Sequence, residues 1–360
     1  MSFSEIKHFF HRWANLMFFV GGFLFDAFAL QRIDSVLDLI YQFVYLLVIA
    51  LIVLYQERER RGVWLPAGWT AKIWHHNVEA LHFIYGGLLS AYVIFYFKSS
   101  TFSRSAFFLI LVCVMMFANE MPQVRRYGSR MRLGLYSLCV VSYLNYLLPV
   151  IIGRMGGWVF GLAVTLSVVI CADLVKRLAR LEPNPKLAYW TLGWSPAVVM
   201  ALVVTFYVNK WIPPVPLSLQ FAGIYHNVEK QNDQYALTSL KWPWYQFWRR
   251  DDKPFMDKPG DVIYCFVRVF APRRFRDQIF LHWSTAAPGS KAFSTADRIP
   301  LSIYGGRGEG FRGYAAKSNF EAGRWRVDIE TSDGRSLGDL VFEVREDTRV
   351  EERRWVIRSM

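Results

Sequence analysis

The stretch LDLIYQFVYLLVIALIVLY, residues 37–55, decides the class of this chain: apart from Asp38 near its head it carries no charge. A helix rises about 1.5 Å per residue and a bilayer core is about 30 Å thick, so about 20 apolar residues are enough to cross it. Six further stretches read the same way, at 13–30, 78–97, 106–121, 133–152, 156–175 and 189–208. Those at 13–30 and 106–121 are short, and need flanking residues or tilt to span. Between the stretches lie turn or charge signals such as Gln31-Arg32, Lys98-Ser99-Ser100 and Gly153-Arg154.

Composition agrees with a membrane protein. Of 360 residues 53% are hydrophobic and only 20% charged, and there are four cysteines. A disordered chain, a collagen and a disulfide-stapled miniprotein are thereby excluded. Residues 1–210 hold 19 Lys+Arg and 10 Asp+Glu, whereas residues 211–360 hold 23 and 19. The front is oily and basic and the rear is polar and mixed. Cys113, Cys139 and Cys171 lie in apolar runs, Cys265 is alone in the polar half, and no CxxC occurs.

Orientation follows from lysines and arginines in short connections, which resist export across an energised membrane. Alternate connections carry Lys7 and Arg12; Arg58, Arg60, Arg61 and Lys72; Arg125, Arg126, Arg130 and Arg132; Lys176, Arg177, Arg180 and Lys186. The others carry Arg32; Lys98 and Arg104; Arg154. The expectation is a bacterial inner-membrane protein with a cytoplasmic N-terminus, seven spans and a periplasmic polar half. Lys7, Arg12, the apolar residues 16–25 and Ala27-Phe28-Ala29 also suit a cleavable signal peptide, which leaves the later orientation unchanged.

Ionisable groups at spans are the first place to look for chemistry. His75, Glu79 and His82 open the third span on one helical face, and could ligate a metal with Glu120 and Asp173, which close other spans at the same cytoplasmic depth. The commoner role is interfacial, beside Trp74 and paired with arginines, and that is the expectation. Asp26 and Asn145 read as helix-to-helix hydrogen bonders, and Gly86-Gly87 with Ser90 as a close-contact face.

Beyond 210 the chain exits through Ile212-Pro213-Pro214-Val215-Pro216-Leu217, a stiff extended path. Trp242, Trp244, Tyr245, Phe247 and Trp248 with Arg249-Arg250 then suit a headgroup-level belt or a sugar-stacking platform. Residues 211–260 are thus expected to be an interfacial linker. From Asp261 the period becomes 2. Residues 262–270 are apolar on both faces, Trp325, Val327 and Ile329 alternate with charges, and Ser332-Asp333-Gly334 marks a tight turn before Leu340, Phe342 and Val344. The fold expected is a multi-pass α-helical membrane bundle over 1–210, then an all-β antiparallel, immunoglobulin-like sandwich over 261–346 and a charged tail at 347–360 that is solvated or forms a short helix at the headgroups.

Several motifs together carry a resemblance: the proline exit, Val269-Phe270-Ala271-Pro272, His282-Trp283, Gly305-Gly306-Arg307 with Gly310-Phe311-Arg312-Gly313-Tyr314, and residues 323–331. Over about residues 210–346 the chain resembles bacterial membrane proteins carrying domain of unknown function 2914. The resemblance implies architecture and location, and no activity.

Arg307, Arg312, Tyr314, His282 and Trp283 are the candidate binding residues, since arginines on a glycine-rich loop can grip an anionic glycan, a phosphate or a partner carboxylate. The plainer roles are an arginine pair bracing the sheet and a hydrogen-bonded histidine. Residues 308–313 fit GxGxxG formally, yet no helix pattern follows, so dinucleotide binding is rejected. No catalytic signature is present, the basic charge belongs to membrane loops, and nucleic acid is not expected. The functional expectation is a membrane-anchored binding or assembly module for an envelope component, alone or as an oligomer. The alternatives are a membrane enzyme or transporter working at His75, Glu79 and His82, and a passive structural subunit.

Overall fold

The computed structural model describes residues 35–99, 102–120, 128–232, 234–246, 248–287, 289–290, 292–305, 310–349 and 352–360. The expected span at 13–30, with Asp26 and the signal-like Ala27-Phe28-Ala29, lies outside them. The chain divides into two compact units, one helical and one formed by residues 98–105, 149–159 and 210–360.

Seven α-helices are described before residue 210: α1 (Val36–Arg60), α2 (Trp69–Trp74), α3 (Asn77–Lys98), α4 (Phe102–Glu120), α5 (Ser129–Ile152), α6 (Gly157–Ala179) and α7 (Pro185–Val208). Of these, α1, α3, α5, α6 and α7 are long and apolar enough to cross a membrane. The apolar part of α4, Ser105–Met115, is shorter. Ser35 caps α1 by accepting from the Asp38 amide at 3.4 Å, and Asp38 and Arg58 place opposite charges at the ends of the helix dipole that favour them. Pro185 sits at the start of α7, where its missing amide costs nothing, and Asn184 caps that helix.

Helix α1 has two faces. Gln42, Leu46, Ile49, Val53 and Glu57 recur every three or four residues and are buried, while Ile40, Phe43, Leu47 and Leu51 are exposed. Apolar residues turned outward along the whole helix suit hydrocarbon, not water. Several polar side chains inside the bundle pair across helices, which low-dielectric surroundings favour. The Tyr146 hydroxyl donates to Gln42 Oε1, Tyr143 to the Leu39 carbonyl at 3.0 Å, and Asn145 to the Tyr96 hydroxyl at 3.3 Å. At the end of α1 the buried Glu57 takes Arg60 at 2.6 Å and Arg61 at 3.2 Å, and Arg60 reaches Glu182 at 2.7 Å.

The second unit holds eleven described strands: β1 (Ser218–Tyr225), β2 (Asn227–Gln231), β3 (Gln234–Leu240), β4 (Phe255–Asp257), β5 (Ile263–Phe270), β6 (Arg276–Ala286), β7 (Phe293–Tyr304), β8 (Phe311–Lys317), β9 (Gly323–Thr331), β10 (Ser336–Glu346) and β11 (Trp355–Ser359). They form a five-stranded sheet ordered β4-β10-β9-β6-β7, a three-stranded sheet β1-β5-β8 and a three-stranded sheet β11-β3-β2. All pairings are antiparallel except β4 with β10.

The β1-β5-β8 sheet lies in the middle. On one side Ile224, Cys265, Val267 and Val269 share a core with Leu281, Trp283, Val327, Ile329 and Phe342 of the five-stranded sheet. On the other, Tyr225 and Phe266 pack with Val228, Tyr235 and Leu237 of the third sheet. This is why residues 262–270 are apolar on both faces. The antiparallel β expectation therefore holds, but three sheets and one parallel pairing replace the two sheets of an immunoglobulin sandwich.

Two boundaries differ from the sequence reading. Strands β1 to β4 lie within 218–257, so most of the expected linker belongs to the β unit, although Trp244, Tyr245 and Trp248 are exposed. The expected tail contributes β11, which pairs with β3 from Trp355↔Leu240 to Ser359↔Ala236. Trp355-Val356-Ile357-Arg358-Ser359 shows no apolar–polar alternation, and its partner is remote in sequence. The predicted turn is present: Gly334 has φ +75° and its amide bonds the Thr331 carbonyl at 2.9 Å.

Residues 149–159, from the end of α5 to the start of α6, belong to this unit. The Arg276 amide donates to the Gly153 carbonyl at 2.9 Å, and the Met155 amide to Asp277 Oδ2 at 3.0 Å. A close approach also fixes Gly305, where a Cβ would stand 1.8 Å from the Pro272 carbonyl oxygen. Gly305→Ala should therefore force the backbone apart and cost about 1–3 kcal/mol. A lowered unfolding midpoint of the purified protein checks this, and an unchanged midpoint refutes the packing described.

Candidate functional site: the outward face of the five-stranded sheet

Neighbouring residues of a strand point to opposite faces. On β6, Ile279, Leu281 and Trp283 turn into the core, so Phe280, His282 and Ser284 turn out. On β9, Trp325, Val327 and Ile329 turn in, and Arg324, Arg326, Asp328 and Glu330 turn out. The register pairs His282 with Asp328 and Phe280 with Glu330, and on the other flank pairs His282 with Arg298 of β7. His282 thus faces Asp328 directly and Glu330 diagonally.

Side-chain geometry follows from that register. His282 Nδ1 lies 3.4 Å from Glu330 Oε1, and Nε2 lies 2.9 Å from Thr295 Oγ1. Arg326 donates to Asp328 Oδ1 at 2.7 Å and reaches Asp339 at 3.7 Å. Around this centre arginines stack on rings. The Arg298 guanidinium sits 3.9 Å from the Phe280 ring centre, and Arg324 and Arg326 lie 5.4 and 6.0 Å from that of Phe293. Such stacking holds a planar donor in place without spending its hydrogen-bonding edge.

The expected binding residues do not form one site. Trp283 is fully buried and packs edge-on against Phe342 at 6.4 Å, so it cannot share a surface with His282. Arg312 and Tyr314 stand on β8 of the middle sheet, with Tyr314 against Tyr264 and Tyr235. Arg307 lies outside the described residues. His75 ends α2 as its C-cap, whereas Glu79 and His82 belong to α3, which opens at Asn77. The helix break removes the common face that the spacing suggested; His75 and Glu79 are exposed and His82 is half-buried. Asp173 pairs with Arg177 at 2.6 Å on α6. Among the described residues, His282, Asp328 and Glu330 form the one group of three His, Cys, Asp or Glu whose donor atoms all lie within 4.8 Å of one another. Asp328 and Glu330 were legible only as the polar half of an alternation, because the pairing of β9 with β6 is not written in either strand.

A second histidine, His226, resembles half of a catalytic pair. Its Nδ1 lies 2.6 Å from Asp252 Oδ2 inside the β unit, and its ring stacks on Phe255 at 4.1 Å. Its Nε2, however, is 3.0 Å from the Met256 carbonyl, an acceptor, so the nitrogen a base would use is already committed. Burial pushes the Asp252 carboxyl up from its usual range, with the His226 hydrogen bond pulling the other way. Arg353 extends the network, donating to the Met256 carbonyl at 2.8 Å, Asp261 at 2.7 Å and Asp347 at 2.9 Å. This is a clasp between β4 and the chain leading to β11. Cys265 is no nucleophile either, since burial pushes its thiol up to about 12. A cavity of about 330 Å³ is lined by Tyr225, Leu237, Arg250, Arg358, Ser359 and Met360 at the third sheet.

Strands β6 to β10 also carry the family signal. Residues 276–344 match the family described as protein of unknown function (DUF2914). The DUF2914 segment begins with the first residue of β6 and ends inside β10, so it contains His282, Asp328, Glu330 and the stacked arginines. No curated protein matches the chain. Among solved structures, the alkylpurine DNA glycosylase AlkC of Pseudomonas fluorescens, bound to DNA containing an abasic site analog, aligns at 10% identity over 87% of this chain and 99% of its own. The TM-score of 0.20 is too low to speak for a common fold.

The clasp has a pH signature. Hydrogen bonds from Arg349 and then Arg353 hold the Asp347 carboxyl well below the usual carboxylate range. The stability it contributes is complete above an unfolded aspartate pKa of about 3.9 and is lost as pH falls from there through the lowered folded value. Asp347→Asn should cost about 1–3 kcal/mol near neutral pH and flatten that part of the acid limb. Denaturant unfolding of both proteins between about pH 2 and 7 reads the difference.

Proposed function

We propose that this chain is a bacterial inner-membrane protein that presents its β unit on the extracytoplasmic side as a recognition module for an envelope component, an anionic glycan or an envelope protein. The observation that carries the reading is the outward face of the five-stranded sheet, where Arg298, Arg324 and Arg326 are stacked on Phe280 and Phe293 around His282. Arginines held in place lose little side-chain freedom on binding, so their charge-assisted hydrogen bonds are retained as affinity.

Two observations support the side of the membrane. The connection between α5 and α6 is among those poor in lysine and arginine, and its backbone bonds the start of β6. A connection and a domain joined in this way occupy the same side. The arginine-rich connections, including Arg58, Arg60 and Arg61, then face the cytoplasm.

Glu343 is exposed, and Cys265 is buried and unreactive. Glu343→Cys should therefore react with a membrane-impermeant maleimide in intact spheroplasts, and labelling only after lysis would refute the orientation. For recognition, Arg298→Ala and Arg324→Ala should each weaken retention on an anionic polysaccharide or an envelope-protein fraction about tenfold, since one charge-assisted contact is worth about 1.5 kcal/mol or more. Arg312→Ala tests the middle sheet in the same assay. Binding that survives the first two changes overturns the role of this face.

A further inference from the structure

We propose that His282, Asp328 and Glu330 hold one divalent transition-metal ion on the outward face of the five-stranded sheet. The site goes beyond the recognition role, because neither the side of the membrane nor a partner enters the argument.

Spacing is the first support. Two ligands about 2.1 Å from a tetrahedral ion stand roughly 3.4 Å apart. His282 Nδ1 and Glu330 Oε1 are separated by 3.4 Å, and donors from all three residues lie within 4.8 Å of one another. Small rotations of two carboxylates would close the set on one ion.

The surroundings of each ligand are the second support. Metal-binding histidines use one ring nitrogen for the ion and the other for a hydrogen bond that fixes the ring. His282 has this arrangement, with Nε2 at 2.9 Å from Thr295 Oγ1 and Nδ1 turned to the carboxylates. Arg326 donates to Oδ1 of Asp328 at 2.7 Å, which orients that carboxylate. Two carboxylates two residues apart on one strand face repel each other, and a dication between them removes that repulsion.

The scaffold is the third support. The residues stand on β6 and β9, paired without interruption from Ile279↔Thr331 to Ala286↔Arg324, so their backbones are held by a sheet and not by a loop. The side chains are mostly shielded yet reachable, with 24% of His282, 12% of Glu330 and a small part of Asp328 exposed. One imidazole and two carboxylates suit Zn²⁺, Mn²⁺ or Fe²⁺. They suit Mg²⁺ less, because it prefers oxygen alone, and Cu⁺ less, because no sulfur takes part. Three protein ligands leave at least one position for water or a ligand atom of the bound component.

The test uses the full chain in detergent, stripped with chelator and freed of any affinity tag. Calorimetric titration with Zn²⁺, Mn²⁺ and Mg²⁺, followed by elemental analysis, should find one Zn²⁺ or Mn²⁺ per chain and little Mg²⁺. His282→Gln and Glu330→Gln should each weaken binding by about 100-fold, and Thr295→Val by about tenfold. Far-ultraviolet circular dichroism separates loss of binding from loss of fold, and Glu330→Gln carries the test if His282→Gln does not fold. Metal well below one per chain in the unaltered protein, or equal affinity in folded Glu330→Gln, overturns the site. Either result leaves the recognition assays to be judged separately.

Discussion

The β unit depends on one constraint: its middle sheet buries apolar side chains on both faces. Strand β5 sends Cys265, Val267 and Val269 to one core and Phe266 to another, so apolar layers are required on both sides. The five-stranded sheet supplies one. The β2–β3 hairpin and β11 supply the other, which is why the segments that flank the strands legible in sequence cannot be linker and tail. Without the β2–β3 hairpin and β11, Tyr225 and Phe266 would meet water, at roughly 25 cal/mol for each Å² of apolar surface uncovered. The buried network of His226, Asp252, Arg353 and Asp347 secures that layer, since breaking up a buried ionic cluster strands a charge where nothing solvates it.

A different solvent governs the helical unit. Hydrocarbon offers no hydrogen-bond partner, so backbone groups pair within helices, and some inward polar side chains pair across them, as Tyr146 with Gln42 and Asn145 with Tyr96 do. Charge is concentrated at helix ends. The Glu57, Arg60, Arg61 and Glu182 group joins the end of α1 to the turn after α6 and braces the folded bundle.

The outward face of the five-stranded sheet shows how a functional surface grows from strand pairing. The His282-Trp283 pair draws the eye as a unit, yet the pleat sends Trp283 into the core and His282 to the surface. What His282 gains as neighbours are residues from other strands: Arg298 and Thr295 from β7, Asp328 and Glu330 from β9. By contrast, His75, Glu79 and His82 looked like a unit on the assumption of one continuous helix, and the break between α2 and α3 dissolves it. In both cases sequence proximity misled because local backbone geometry, not spacing alone, decides which side chains meet.

Properties carried by consecutive residues were legible in the sequence alone. A run such as residues 37–55 declares its solvent through composition, and Trp325, Val327 and Ile329 declare a half-buried strand ending in the Gly334 turn. The match of residues 276–344 to a family of unknown function was anticipated by their motifs as well. Tertiary structure decided the rest: the parallel pairing of β4 with β10, the capture of β11 by β3, the three-layered core and the meeting of His282 with Asp328 and Glu330. The physical reason is that a strand's hydrogen-bonding edge is nearly the same for every sequence. Partner and register are therefore chosen by burial summed over the whole domain, and no single stretch contains that sum.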